Sequence, residues 1–175
     1  MNNDMEDSFT FKCASCGESH SGVPDLAFAS PYHYLDMTDA DKASESVLTD
    51  DFCSIANRDF FVRGCLEIPR ISGARPLVWG AWVSLSRVNY DRYVQLLPDE
   101  ERSPEGPFFG WFCNKLPGYP NTLSLRTHVR FRPFPLRPII ELEPSEHPLS
   151  VEQRAGITDD RLRAILEANE HSHAG

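Results

Sequence analysis

The stretch FFVRGCLEIPRISGARPLVWGAWVSLS, residues 60–86, decides the fold. In its first part Phe60, Val62, Leu66 and Ile68 share one parity, and Arg63, Cys65 and Glu67 share the other. In its last part Leu77, Trp79, Val83 and Leu85 recur in the same way. Residues two apart in a strand lie on one face, so both runs read as strands with one apolar side. The connector RISGARP (70–76) is rich in turn formers and suits a hairpin. Period-2 alternation predicts an antiparallel sheet with one buried face and one wet face.

Further along, Ser86 is a candidate N-cap for a helix over RVNYDRYVQLL (87–97), where Tyr90, Tyr93, Val94 and Leu97 recur at helical spacing. GPFFGWFCNKL (106–116) reads as a strand closed by the turn PGYPN. LSLRTHVRFR (123–132) alternates cleanly, with Leu123, Leu125, Val129 and Phe131 inward and Arg126, His128, Arg130 and Arg132 outward. RPIIELEP (137–144) is the last strand, with Ile140 and Leu142 inward and Glu141 and Glu143 placed to neutralise the basic stripe across strands. On this register the wet face carries Arg63, Glu67, Trp82, Trp111, Arg126, His128 and Glu141. Thr158 caps a final helix, DDRLRAILEAN, and the tail EHSHAG is expected to fray. Before the sheet, SFTFK (8–12) reads as a short strand. The segment LDMTDADKASESVLTDDFC (35–53) reads as helix-tolerant, with Thr38 or Asp39 as its cap.

The expected fold is α+β: a small N-terminal zinc knuckle attached to an antiparallel β-sheet with a few flanking helices. A chain of 175 residues is most simply one domain. Its parts are a knuckle (9–22), an acidic connector (23–59), the sheet (60–143) and a helical C-terminal tail (144–170).

Charge is uneven. The net charge is -9, and residues 1–59 hold twelve acids against Lys12, Lys42 and Arg58, whereas residues 60–175 balance at fourteen of each sign. An acidic first third repels nucleic acid and anionic membranes and suits a basic protein partner. The partner-facing residues expected on this ground are Asp36, Asp39, Asp41 and Glu45, with Trp82 and Trp111 as aromatics on the wet face. The N-terminus MNNDMEDSFT is acidic and polar, unlike a signal peptide, and no apolar run approaches membrane-spanning length. These features predict a cytoplasmic protein whose five cysteines stay reduced.

FKCASCGESH (11–20) carries the chemistry. A Cys-x2-Cys turn folds Cys13 and Cys16 toward one point, Gly17 is free to take the positive φ such a turn needs, and His20 is near enough to be a third ligand. Zinc takes four ligands in a closed structural site. With no second Cys-x2-Cys pair, the fourth must be a single distant residue: Cys53 first, His33 second. Cys65 and Cys113 fall inside strand patterns and read as packed side chains. The expected cofactor is one structural Zn2+. No phosphate loop, dinucleotide fingerprint or nucleophile elbow is present, and DMTDADKASE lacks the mid-loop glycine of a calcium loop. His147 is a loop histidine without a recognisable catalytic partner.

FKCASCGESH, FFVRGCLEIPR, WGAWVSLS, FFGWFCNKLPGYPNTLSL and RPIIELEPSEHPLSVEQRAGIT together resemble a bacterial family of hypothetical proteins, a domain of unknown function, over roughly residues 9–165. The resemblance implies a bacterial, cytosolic, zinc-containing protein. It sets Cys13, Cys16, Gly17, His20 and Cys53 on motif positions, which favours Cys53 as fourth ligand. It implies no activity. Two functions remain: a protein-binding module, of which an immunity-type protein that neutralises a basic toxin is the concrete form, and a zinc-dependent hydrolase with an open metal position.

Overall fold

The computed structural model describes residues 8–13, 15–102 and 104–169. The acidic residues 1–7 and the tail 170–175, expected to fray, lie outside the described residues. The chain begins with two short antiparallel strands, β1 (Thr10–Lys12) and β2 (Ser19–Ser21). Then follow β3 (Leu26–Ala27), α1 (Tyr32–Leu35), α2 (Asp39–Glu45), β4 (Ser46–Leu48) and β5 (Phe52–Ile55). The long pair β6 (Asp59–Ile68) and β7 (Leu77–Leu85) comes next, then α3 (Arg87–Leu96), β8 (Phe108–Phe112), β9 (Arg126–Arg130) and β10 (Ile139–Leu142). The chain ends in α4 (Pro148–Ala155) and α5 (Asp159–Ala168).

The decisive hairpin forms as its alternation requires: β6 and β7 pair antiparallel from Phe60↔Leu85 to Ile68↔Leu77. The sheet they seed is not flat. β7, β8, β9 and β10 follow in antiparallel order, and β10 returns to pair with β6 in parallel at Ile139↔Cys65, so five strands close into a barrel. Alternation reports which side of a strand is apolar and is silent on whether the two ends of a sheet meet.

Closure is possible because β6 shares one edge between two partners. Its first half, Asp59–Val62, bonds to β5, and its second half turns to β10 through a hydrogen bond from the Cys65 N–H to the Pro138 carbonyl at 2.8 Å. The residue at the changeover is Gly64. A Cβ there would lie 3.0 Å from the Pro138 carbonyl oxygen and 2.9 Å from Ile140 Cγ1, so only a bare backbone lets β10 come this close.

The acidic connector corrects one expectation. Beyond α1, helix covers only Asp39–Glu45, capped by Thr38 Oγ1 accepting from the Asp41 N–H. The following residues turn into the β4–β5 hairpin, with Val47↔Ser54 and Leu48↔Cys53 paired. The β-branched Val47 and Thr49 and the neighbours Phe52 and Ile55 favour strand once β6 offers an open edge. The connector therefore supplies β3, β4 and β5 to the eight-stranded sheet, which begins before residue 60.

Inward residues match the expected parity. Val62, Leu66, Ile68, Leu77, Trp79, Val83, Val129 and Ile140 form one buried cluster with Tyr93 and Leu96 of α3, Leu149 of α4 and Leu162, Ile165 and Leu166 of α5. The helices are held by caps: Ser86 Oγ accepts from the Asn89 N–H, and Thr158 Oγ1 accepts from the Arg161 N–H. His147 has the same role for α4, its Nδ1 accepting from the Leu149 N–H while Nε2 faces the Asn121 carbonyl.

The outer face is only half wet. Phe61, Trp82, Cys53, Ile55 and Cys113 make a second buried cluster, flanked by Phe28, Tyr34, Met37 and Leu48. Trp82 has the expected parity, opposite Arg63, but is 0% exposed. Its indole N–H donates to the Phe28 carbonyl at 3.0 Å, because the connector folds over this half of the sheet. Among the described residues no helix is long and apolar enough to cross a membrane.

Gly64→Ala forces the Pro138 carbonyl and Ile140 to retreat from β6. An overpacked site of this kind costs about 1–3 kcal/mol. Urea unfolding should show a lower midpoint with an unchanged slope. An unchanged midpoint would mean that the barrel closes without this contact.

Candidate metal centre

The knuckle is built by the β1–β2 hairpin. Phe11↔His20 and Lys12↔Ser19 pair across it, and Cys13–Glu18 form its loop. Two backbone bonds tie the loop: the Cys13 N–H to the Glu18 carbonyl at 2.8 Å and the Gly17 N–H to the Cys13 carbonyl at 2.9 Å. The second requires Gly17 at φ +70°, where a side chain would strain the turn. His20 faces the loop from β2, with its ring 5.6 Å from that of Phe11.

As expected, Cys13, Cys16 and His20 come together, their donor atoms all within 4.8 Å of one another. Cys16 Sγ and His20 Nε2 are 3.3 Å apart. Donors around one tetrahedral ion stand about 3.5–3.8 Å apart, so small rotations bring all three onto one metal. The backbone N–H of Cys16, aimed at the Cys13 sulfur, pulls that thiol below its ordinary value and favours the thiolate form that metals bind. Cys13 is buried at the base of the site, while Cys16 and His20 are exposed.

Cys53 does not join them. It sits mid-strand in β5, paired to Leu48 and Phe61, 0% exposed, in the second hydrophobic cluster. Burial, with Cys113 beside it, pushes its thiol up to about 11, the reverse of what a ligand needs. The expectation of Cys53 as fourth ligand rested on the need for one distant donor and on the family resemblance, and the helix-tolerant segment expected to lead into it is replaced by the β4–β5 hairpin. His33 stands on α1 against the Phe61 ring, also outside the cluster. Cys113 is packed as expected, its thiol likewise raised to about 11 by burial.

The acidic residues lie where exposure allows contact. Asp36 follows α1, Asp39 and Asp41 occupy the first turn of α2, Glu45 ends it, and all four are exposed. Trp111 is 42% exposed, with its ring 5.2 Å from that of Phe109 and the Arg126 guanidinium 5.6 Å above it. Trp82, buried as described, is withdrawn from the expected partner-facing set.

The basic stripe is neutralised across strands. Arg126 and His128 bond Glu143 at 2.6 and 3.0 Å, Arg130 bonds Glu141 at 2.5 Å, and Arg132 bonds Glu67 at 3.2 Å. Arg126 chiefly, then His128, holds the Glu143 carboxyl below the usual carboxylate range.

Sequence reasoning missed a cleft of about 740 Å³ beside these pairs, lined by Glu67, Arg70, His128, Glu143, Gln153 and Arg154 among others. It opens where β6 and β10 diverge beyond Cys65. There Gln153 stands in for a strand, its amide oxygen accepting from the Leu142 N–H and its amide nitrogen donating to the Ile140 carbonyl. Nothing in the spacing of VEQRAG signals this, because it depends on the barrel seam.

The model of a family described as "Uncharacterized protein conserved in bacteria (DUF2199)" matches residues 12–157, a span that includes Cys13, Cys16 and His20 and every barrel strand. No curated protein and no solved structure matches the chain.

Cys16→Ser and His20→Ala should each abolish stoichiometric metal retention after gel filtration. Cys53→Ser should retain the metal and show only the stability loss of a core change. Metal analysis by mass spectrometry checks both, and metal lost from the Cys53→Ser protein would restore Cys53 to the ligand set.

Proposed function

The chain belongs to this family of uncharacterized proteins conserved in bacteria, and from that premise we propose that it is a protein-binding module for a basic partner. In this reading a β-barrel carries one zinc-held knuckle, and the acidic surface around α2 faces the partner. An immunity-type protein that neutralises a basic toxin is the concrete form.

One observation carries the reading. Asp36, Asp39, Asp41 and Glu45 are exposed and in no ion pair among the described residues, while Glu67, Glu141, Glu143 and Glu152 on and beside the barrel are each paired with arginine. Paired charges cancel at a distance. Unpaired ones project a field that attracts a cationic surface. Thr38 and the first-turn acids also suit the positive end of α2, so these carboxylates stabilise the helix that displays them.

Zinc is the metal that the donor set suits. Two thiolates and an imidazole are the soft and borderline ligands of structural zinc, and they balance its charge. Holding Cys13, Cys16 and His20 on one ion would fix a hairpin whose two strands are only three residues each.

A second reading, a zinc-dependent hydrolase, is favoured by the convergence of three donors, and not four, among the described residues. When bound, zinc with an open position would supply a Lewis acid. Against it, among the described residues no carboxylate joins the cluster to take a proton.

The test is co-purification from the native bacterium, then association kinetics over a salt series. The on-rate should fall as salt rises. Reversing Asp39, Asp41 and Glu45 to Lys should slow it roughly tenfold or more, the scale of electrostatic steering. Metal content should not change. An acidic partner, or an on-rate indifferent to salt and to charge reversal, would defeat the reading.

A further inference from the structure

The edge of β6 that faces β10 loses its strand partner at Glu67. Backbone groups of alternate residues in a strand point to the same edge, so the N–H and carbonyl of Glu67 point as the Cys65 N–H does, toward β10. One more step of the parallel ladder would give the Glu67 N–H to the Ile140 carbonyl and the Leu142 N–H to the Glu67 carbonyl. Gln153 of α4 takes both of those partners, and the pairing of β10 with β6 stops at Ile139↔Cys65. Two amide edges are left over: the Glu67 peptide group, and the second N–H and second lone pair of the Gln153 carboxamide. Both residues line the cleft of about 740 Å³, a volume in the range of small-molecule sites. Charges around it cancel, with one exception. Glu67 is paired with Arg132, Glu141 with Arg130, Glu143 with Arg126 and His128, and Arg70 with Asp159. Arg154 also lines the cleft and has no carboxylate partner among the described residues. Its Nε and Nη2 donate to the Ser150 and Ser145 carbonyls at 3.2 and 3.1 Å, which fixes the guanidinium and leaves Nη1 unused. Pro69, Ala74, Pro76, Ile139 and Pro144 supply an apolar wall.

We propose that this cleft binds a small carboxylate with an amide beside it, the chemistry shared by an N-acylated amino acid and a peptide C-terminus. The carboxylate accepts from Arg154 in a charge-assisted hydrogen bond. The amide meets the donor and acceptor that the interrupted ladder leaves at Glu67 and Gln153. An apolar side chain lies on the proline-rich wall. The carboxylates of the lining, each already paired, do not repel the anion at a distance. The cleft shares no residue with the knuckle or with the acidic surface of α2, so the proposal stands independently of both.

N-acetyl-leucine is the probe, titrated into the full chain and followed by two-dimensional amide NMR, with N-acetyl-leucinamide as its uncharged control. The expected result is saturable binding that moves the Glu67 N–H signal and the Gln153 side-chain signals. Capping the carboxylate as the amide should weaken binding about tenfold or more, the scale of one hydrogen bond to a charged group, and Arg154→Gln should weaken it as much. That substitution also removes the bonds to Ser145 and Ser150, so its melting temperature is measured alongside. If the variant does not fold, the comparison of capped and uncapped probes on the native chain decides. A glycine-rich peptide ending in leucine separates the sources. Tighter binding than N-acetyl-leucine assigns a chain terminus, and equal or weaker binding assigns a small molecule. Absence of saturable binding by either ligand, signals that move only outside the cleft, or equal affinity for the capped and uncapped probes overturns the proposal. So does unchanged affinity in a folded Arg154→Gln protein.

Discussion

The structure depends on the close approach of β10 to β6 at Gly64. β6 is bonded to β7 along its whole length, and its other edge serves β5 and then β10. A side chain at Gly64 would meet the Pro138 carbonyl and Ile140, push β10 back from β6 and loosen the seam that closes the ring over its apolar inner face. Closure buries that face, and it leaves the first half of the β6 edge for β5 and β4. The cleft held by Gln153 marks where the two partners part.

The knuckle is a dependent of this barrel. Its strands are too short to stand alone. They are anchored by Phe9, which is buried in the main cluster with the guanidinium groups of Arg70 and Arg163 each 5.1 Å from its ring. Arg163 also donates to the Thr10 carbonyl at 3.0 Å, so α5 fixes the base of the hairpin. Barrel and helix hold the loop, and the loop aligns Cys13, Cys16 and His20.

Much of this was legible from residue parity. The β6–β7 hairpin, the inward set from Val62 to Ile140, the caps at Thr38, Ser86 and Thr158, and the neutralisation of Arg126 and Arg130 all follow from local pattern. What pattern does not carry is long-range pairing. The return of β10 to β6 is one parallel contact between residues 74 apart, and no periodicity encodes it. The same blindness misjudged Trp82, whose parity is outward but whose surroundings are supplied by residues 28–37. It also misjudged Cys53, whose polar neighbours suggested helix until β6 drew them into a strand. The three clustered donors were legible because their spacing is local.

The central claim is that the chain itself brings three donors, two sulfurs and one imidazole nitrogen, to one metal. X-ray absorption at the zinc edge on dilute, thiol-free protein counts them directly. The account predicts two sulfur neighbours and one imidazole, with a light oxygen scatterer completing the shell. Three sulfurs under those conditions would contradict it, since one of the thiols described here as held in the barrel would then have reached the knuckle.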